Sequence, residues 1–277
     1  YYKMKKKNVI FIIIIGEYRS GWKRLKDEEG IIKHLKVMSD IYKFVFGNTN
    51  NLMFKKWNQF NNYYKKNNFN ILFKLDILMR KPIYYLSTFF LNQKIKNEKK
   101  EFIDKFLFKK KKIRNKKFQR DFKNSKFVTF SVRFYPKPYS QIRNIDYVNF
   151  LKSIRIIKKR FSNFKILVIS DENGCKLLKK FSKKKKLNLK FSKNYSKTFV
   201  DDGNLILNSS LNVQYTGGGI SEFAIFSKVP YIHYTFFFDF AVNFHPLNPK
   251  KYNWQSNDQY KYFSFSNKIY YNLLKKI

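Results

Sequence analysis

From residue 127 onward, short apolar runs alternate with longer amphipathic stretches, and few architectures accommodate that rhythm. Phe127 to Val132, Lys165 to Ile169, Leu187 to Phe191, Asn212 to Tyr215 and Val229 to Tyr234 read as strands. After the first, Tyr147, Phe150, Ile154, Ile157 and Phe161 recur at spacings of 3, 4, 3 and 4, which predicts a helix with one buried face. Asn144 stands where it can cap that helix. The loop from Phe134 to Arg143 holds Pro136 and Pro138, which have no place inside a strand. Further helices are expected over Glu172 to Phe181, Asp201 to Leu207 and about Ile220 to Ser227. Strands joined through helices need crossover connections, so the pattern predicts a Rossmann-like, doubly wound α/β domain with a mainly parallel sheet covered on both faces.

The first half of the chain is less regular. Val9 to Ile15 is continuous and β-branched, as in a central parallel strand, and it ends at Gly16, followed by the candidate site residues Glu17 and Arg19. The run is far too short to cross a bilayer, and no small-x-small cleavage pattern follows it. Residues 23–93 read as mixed helix and loop. Gln93 to Lys126 is a basic segment centred on Lys109 to Lys112, with Phe102, Phe106, Ile113, Phe118 and Phe122 suggesting interrupted helix. This places a boundary between a smaller N-terminal domain, residues 1–126, and a second domain, residues 127–277. The tail from Thr235 to Ile277, aromatic and Asn-rich, is expected to return and pack on the other domain.

Lys and Arg number 59 against 18 acids, a formal charge of +41. That charge suits an anionic membrane surface or nucleic acid. It also suits codon bias, because Lys, Asn, Ile, Phe and Tyr crowd the whole chain. Cys175 is the only cysteine, so no intramolecular disulfide can form; a reducing compartment fits, and core filling is the simplest role. The three histidines, His34, His233 and His245, lack metal-ligand spacing, and no metal is expected. His233 reads as an ordinary strand residue.

Codon bias does not explain three of nine glycines standing together at Gly217, Gly218 and Gly219 between a strand and a helix. Glycines let a backbone approach a ligand closely, and the N–H groups opening the next helix can hold a diphosphate. A tight turn with close helix packing is the alternative. The run is neither the G-x-G-x-x-G fingerprint nor a Walker loop. Glu222 falls in the first turn beyond, where it can cap or accept bonds from ribose hydroxyls, with Ser221 beside it. Arg133, at the carboxyl end of its strand, can grip a phosphate bidentately or make a surface ion pair. Asp171 and Glu172 end the next strand and can bind base or ribose, or cap a helix. For Asp201 and Asp202 capping is the simpler reading.

The run from Thr216 to Pro230, with its three glycines, Ser221, Glu222 and closing Pro230, resembles the C-terminal nucleotide-sugar motif of GT-B glycosyltransferases. Ser131, Val132 and Arg133 are similar to a strand end of fucosyltransferase-like and related bacterial GT-B proteins, which carry His-x-Arg there. Ser131 replaces that His, so only the role of the Arg carries over. The resemblance, over residues 127–235, implies a GT-B-like fold in which Gly217, Gly218, Gly219 and Ser221 approach a donor diphosphate, Glu222 holds the ribose and Arg133 meets the phosphate. It implies a glycosyltransferase using a nucleotide diphosphate sugar as donor, no further cofactor, and a glycan or lipid-linked acceptor. Residues 1–126 would supply the acceptor domain, with Glu17 as candidate base. The expected setting is cytoplasmic, with peripheral contact at the inner membrane surface. Two other classes remain: a basic nucleic-acid-binding protein, for which no RNP or paired Cys/His signature is present, and a non-catalytic GT-B-like binding protein.

Overall fold

A computed structural model describes residues 11–14, 36–37, 40, 44, 51–54, 57–66, 108–134, 144–215, 219–225, 227–234, 261–264 and 267–276. The chain falls into two compact units, Tyr1–Glu98 and Lys99–Ile277. In the first, strand β1 (Phe11–Ile14) pairs in parallel with β2 (Asn51–Phe54), and helix α1 (Trp57–Lys66) follows. The apolar run at Val9 to Ile15 thus contains a parallel strand. Its partner comes from an Asn-rich stretch that composition alone did not mark as structured.

The second unit begins earlier than residue 127. Residues 109–115 belong to no helix or strand, and among the described residues of the basic segment the helix is α2 (Lys116–Phe122), capped by Asn115 Oδ1, which accepts from Phe118 N at 2.9 Å. Phe118 and Phe122 are buried and stack at 4.4 Å, with edge contacts to Phe127 and Tyr195. Burial of two such rings contributes up to about 3 kcal/mol apiece, enough to bind α2 to the unit that follows it.

That unit continues with β3 (Phe127–Val132), α3 (Tyr147–Arg160), β4 (Lys165–Ile169), α4 (Glu172–Lys184), β5 (Lys190–Phe191), α5 (Phe199–Leu207), β6 (Leu211–Tyr215), α6 (Glu222–Ile225), β7 (Tyr231–Tyr234), β8 (Lys261–Ser264) and α7 (Asn267–Lys276). The sheet is six-stranded with every pair parallel, in the order β5-β4-β3-β6-β7-β8. Counted from β3, that is third, second, first, fourth, fifth, sixth, the Rossmann order.

Helices cover both faces. Phe150, Ile154 and Ile157 of α3, Cys175 and Leu178 of α4 and Tyr270, Tyr271 and Leu274 of α7 form one core with Val128, Phe130 and Val132. Leu205 and Ile206 of α5 and Phe223 of α6 are buried outside that core, and Thr129, on the opposite side of β3, donates to Ser209 Oγ just after α5 at 3.1 Å.

Several local expectations need correction. Asp146, not Asn144, caps α3, its Oδ1 accepting from Asn149 N at 2.6 Å. The strand expected from Leu187 shrinks to Lys190–Phe191 at the sheet edge. The helix expected over Ile220 to Ser227 is a 3-10 turn, Gly219–Ser221, followed by one α-helical turn, Glu222–Ile225. The tail packs on its own unit: β8 extends the sheet, and α7 docks on α3, where Tyr270 Oη donates to Ser153 Oγ at 3.4 Å and Tyr271 Oη to Asn149 Oδ1 at 2.7 Å. Burial holds the Tyr271 hydroxyl protonated, its pKa pushed up to about 12.

Candidate functional site

Open parallel sheets bind ligands beyond the carboxyl ends of their strands, where the strand order reverses direction. Here the reversal lies between β3 and β6, whose register pairs Val132 with Tyr215. Arg133 follows Val132 directly, and the segment Thr216 to Gly219 follows Tyr215. Two candidates far apart in sequence therefore leave adjacent strand ends at the switch point. Arg133 is half-buried, and its carbonyl accepts from Ile145 N at 3.0 Å.

Thr216, Gly217 and Gly218 lie outside the described residues, as do Glu17 and the Glu222 side chain. Gly219 is exposed and opens the 3-10 turn. Among the described residues, a Cβ there would meet Phe199 Cζ at 3.6 Å, an ordinary contact. Ser221 is buried within the turn. Because α6 is a single turn, its dipole is small and gives little attraction for an anion.

The neighbouring strand end adds a tightly fitted helix start. Asp171 Oδ1 caps α4 by accepting from Gly174 N at 2.7 Å, so its capping role is realised, and the residue is exposed. A Cβ on Gly174 would stand 2.3 Å from Ser170 Oγ and 3.1 Å from the Phe134 carbonyl. Glycine at 174 is what lets the first turn of α4 sit against the ends of both β4 and β3. Sequence reasoning passed over this position, since a lone glycine inside a helix carries no signal of its own.

Two polar clusters were also missed. Asn212 of β6, fully buried, donates through Nδ2 to Thr129 Oγ1 at 3.1 Å and to Ser131 Oγ at 2.9 Å on β3. One register step nearer the carboxyl edge, Ser131, Gln214 and His233 lie abreast across β3, β6 and β7, all buried. Beyond β5, Asp202 of α5 is buried, paired with Lys193 Nζ and hydrogen-bonded by Ser196 Oγ. Burial pushes its carboxyl up, and Lys193 opposes the shift. Asp201 makes the expected capping box with Thr198, so of the adjacent acids one caps and the other is an internal ion pair. Among the described residues, no three His, Cys, Asp or Glu side chains stand together where they could hold a metal ion.

The arrangement supplies a cation at one strand end, an open glycine-led turn at the next, and a buried polar layer beneath both. No family model matches the chain, and no curated protein matches it either.

Proposed function

We propose that the second unit binds a nucleotide diphosphate sugar across the β3/β6 switch point and that the protein is a glycosyltransferase acting on a glycan or lipid-linked acceptor. The observation that carries this reading is the pairing of Val132 with Tyr215, the residues that immediately precede Arg133 and the Thr216 to Gly219 segment in sequence, at the one reversal of strand order in the sheet. In this reading the guanidinium and the N–H groups of Gly217 to Gly219 hold the diphosphate and stabilise its negative charge as the sugar departs. Glu222 accepts from the ribose, Ser221 supports the turn, and Asp171 stands at the next strand end toward the base. A base, with Glu17 as candidate, takes the acceptor proton. The setting that follows is cytoplasmic, with the acceptor met at a membrane surface. Among the described residues no helix is long and apolar enough to cross a membrane.

Binding of uridine, guanosine, adenosine and cytidine diphosphate sugars to wild type, Arg133→Ala and Glu222→Ala tests the reading. One donor should bind selectively, and Arg133→Ala should weaken it roughly ten- to a hundred-fold, the cost of a lost charge-assisted contact. If no donor binds while RNA or DNA binds with steep salt dependence, the nucleic-acid class replaces this one. Donor binding without hydrolysis or transfer to any acceptor would make the protein a binding module.

A further inference from the structure

The helical layer formed by α7, α3 and α4 presents a solvent face with an unusual distribution of charge and apolar groups. On α3, Lys152, Arg155 and Lys159 are exposed at helical spacing, so they form one stripe. On α4, Lys176, Lys179, Lys180 and Lys183 form a second. Acids on these helices are confined to their first turns and caps, at Asp146, Asp171 and Glu172. The outer face is thus cationic along most of its length.

The same layer carries the exposed large hydrophobic residues found among the described residues. Val148 is 76% exposed, Ile269 54% and Tyr147 40%. Val148 continues the Lys152, Arg155 and Lys159 stripe at its amino end, and Ile269 lies in the first turn of α7. The bond from Tyr271 Oη, just past the first turn of α7, to Asn149 Oδ1, in the first turn of α3, keeps those two turns near one another. Both turns lie toward the carboxyl edge of the sheet, because each helix follows its strand. Apolar side chains at one end of a cationic layer suit an interface with fixed negative charge and an accessible hydrocarbon boundary. Nucleic acid would use the cations but gives no reason for exposed Val and Ile, and the two stripes carry no aromatic side chain for stacking bases.

We infer that this layer is a docking surface for an anionic lipid bilayer, with the lysine and arginine stripes over phosphate headgroups and Val148 and Ile269 entering the interface. The sheet then lies along the membrane and its carboxyl edge opens sideways at headgroup height. Docking itself is independent of donor chemistry; only the further step, that a lipid-linked acceptor reaches the β3/β6 edge along the surface, rests on the transferase reading.

The test is co-sedimentation of the full chain, without donor, with vesicles of phosphatidylcholine alone or mixed with phosphatidylglycerol. The stripe variant Lys152→Glu/Arg155→Glu/Lys159→Glu should lose binding to the mixed vesicles by about ten-fold or more. Its control is Lys109→Glu/Lys110→Glu/Lys112→Glu, which changes charge equally on a segment held against α5 by paired bonds between Lys111 and Asn204, on the opposite layer. That control should retain binding. Val148→Ser/Ile269→Ser keeps every charge and should weaken vesicle binding while leaving binding to RNA unchanged. Equal losses in the stripe variant and its control would reduce the effect to net charge and overturn the proposal. So would no loss in the stripe variant, or a serine double variant that binds vesicles like wild type. All substituted side chains are exposed, and donor binding retained by each variant separates failure of docking from failure of the transferase reading.

Discussion

The two faces of strand β3 are equally inaccessible and chemically opposite. Toward α3, Val128, Phe130 and Val132 enter a continuous core of aliphatic and aromatic side chains. Toward α5, Phe127 meets the rings of Phe118 and Phe122, but Thr129 and Ser131, nearer the carboxyl end, join Asn212 in a hydrogen-bonded layer at zero exposure. A buried hydrogen bond contributes about 1 kcal/mol net, less than a buried Phe, so the polar layer is a poor source of stability. It is directional where hydrocarbon is not. Bonds from one amide to two hydroxyls fix how β6 sits beside β3, and those strands end in Arg133 and the glycine run. The hydrocarbon face stabilises the sheet; the polar face sets the geometry of its carboxyl edge.

That division is broken most severely from the hydrocarbon side. Phe130 is fully buried and stacks on Phe150 at 5.7 Å. Phe130→Ala should cost about 3–5 kcal/mol, read from urea denaturation midpoints. On the opposite face the largest effect comes from Gly203→Val. A Cβ there would lie 2.3 Å from Phe223, whose ring is buried and stacked on Phe108 at 4.7 Å and so has no empty space to enter. The cost should be about 1–3 kcal/mol by thermal denaturation, and donor affinity should fall as well, because Phe223 belongs to the turn that follows the glycine run. Donor binding unchanged in a destabilised Gly203→Val would mean that the two faces do not differ in function.

Asn212 sharpens the contrast at smaller magnitude. Asn212→Leu takes the amide donor from Ser131 Oγ, while the Thr129 hydroxyl keeps its bond to Ser209, and should cost about 1–2 kcal/mol. Combined with Thr129→Val and Ser131→Ala, it should recover most of that loss, since an apolar set of similar shape leaves no group unsatisfied. Recovery of stability without recovery of donor affinity would show the layer acting through register. Recovery of both would make it ordinary packing.

Legibility in the sequence followed the same physics. The helix over 147–160 was readable because Phe150, Ile154 and Ile157 face a hydrocarbon core and their spacing is the whole signal. Strand β6, Leu-Asn-Val-Gln-Tyr, was readable as a strand, but its buried Asn212 and Gln214 imitate a solvent-facing alternation. The tail hid α7 and β8 because Tyr and Phe are abundant throughout the chain, so Tyr270 and Tyr271 do not stand out as core residues. Arg133 and Gly217 to Gly219 were each identifiable from chemistry at a strand end. That the strands before them lie side by side was not, because periodicity predicts a parallel sheet without predicting the order of its strands. The Asp202 and Lys193 pair was invisible for a related reason: a capping acid and a buried acid look alike until the turn around them is placed.

The smallest expected effect concerns the aromatic end of the polar face. Tyr195 Oη donates to Asp121 Oδ2 at 2.9 Å, joining the turn after β5 to the end of α2, and Lys190 Nζ lies 3.8 Å from the same oxygen. The tyrosine hydrogen bond, more than the nearby cations, holds the Asp121 carboxyl below its ordinary value of 3.8. The folded state therefore binds this proton less readily than the unfolded chain does. The resulting stabilisation is present above the ordinary value and is lost as pH falls through the lower, folded one. Asp121→Asn should flatten the acid limb of a plot of urea midpoint against pH and change the neutral region little, because a carboxylate in contact with water contributes modestly. Coincident acid limbs for wild type and variant would mean that ring packing among Phe118, Phe122 and Tyr195 holds α2 in place without help from the hydrogen bond.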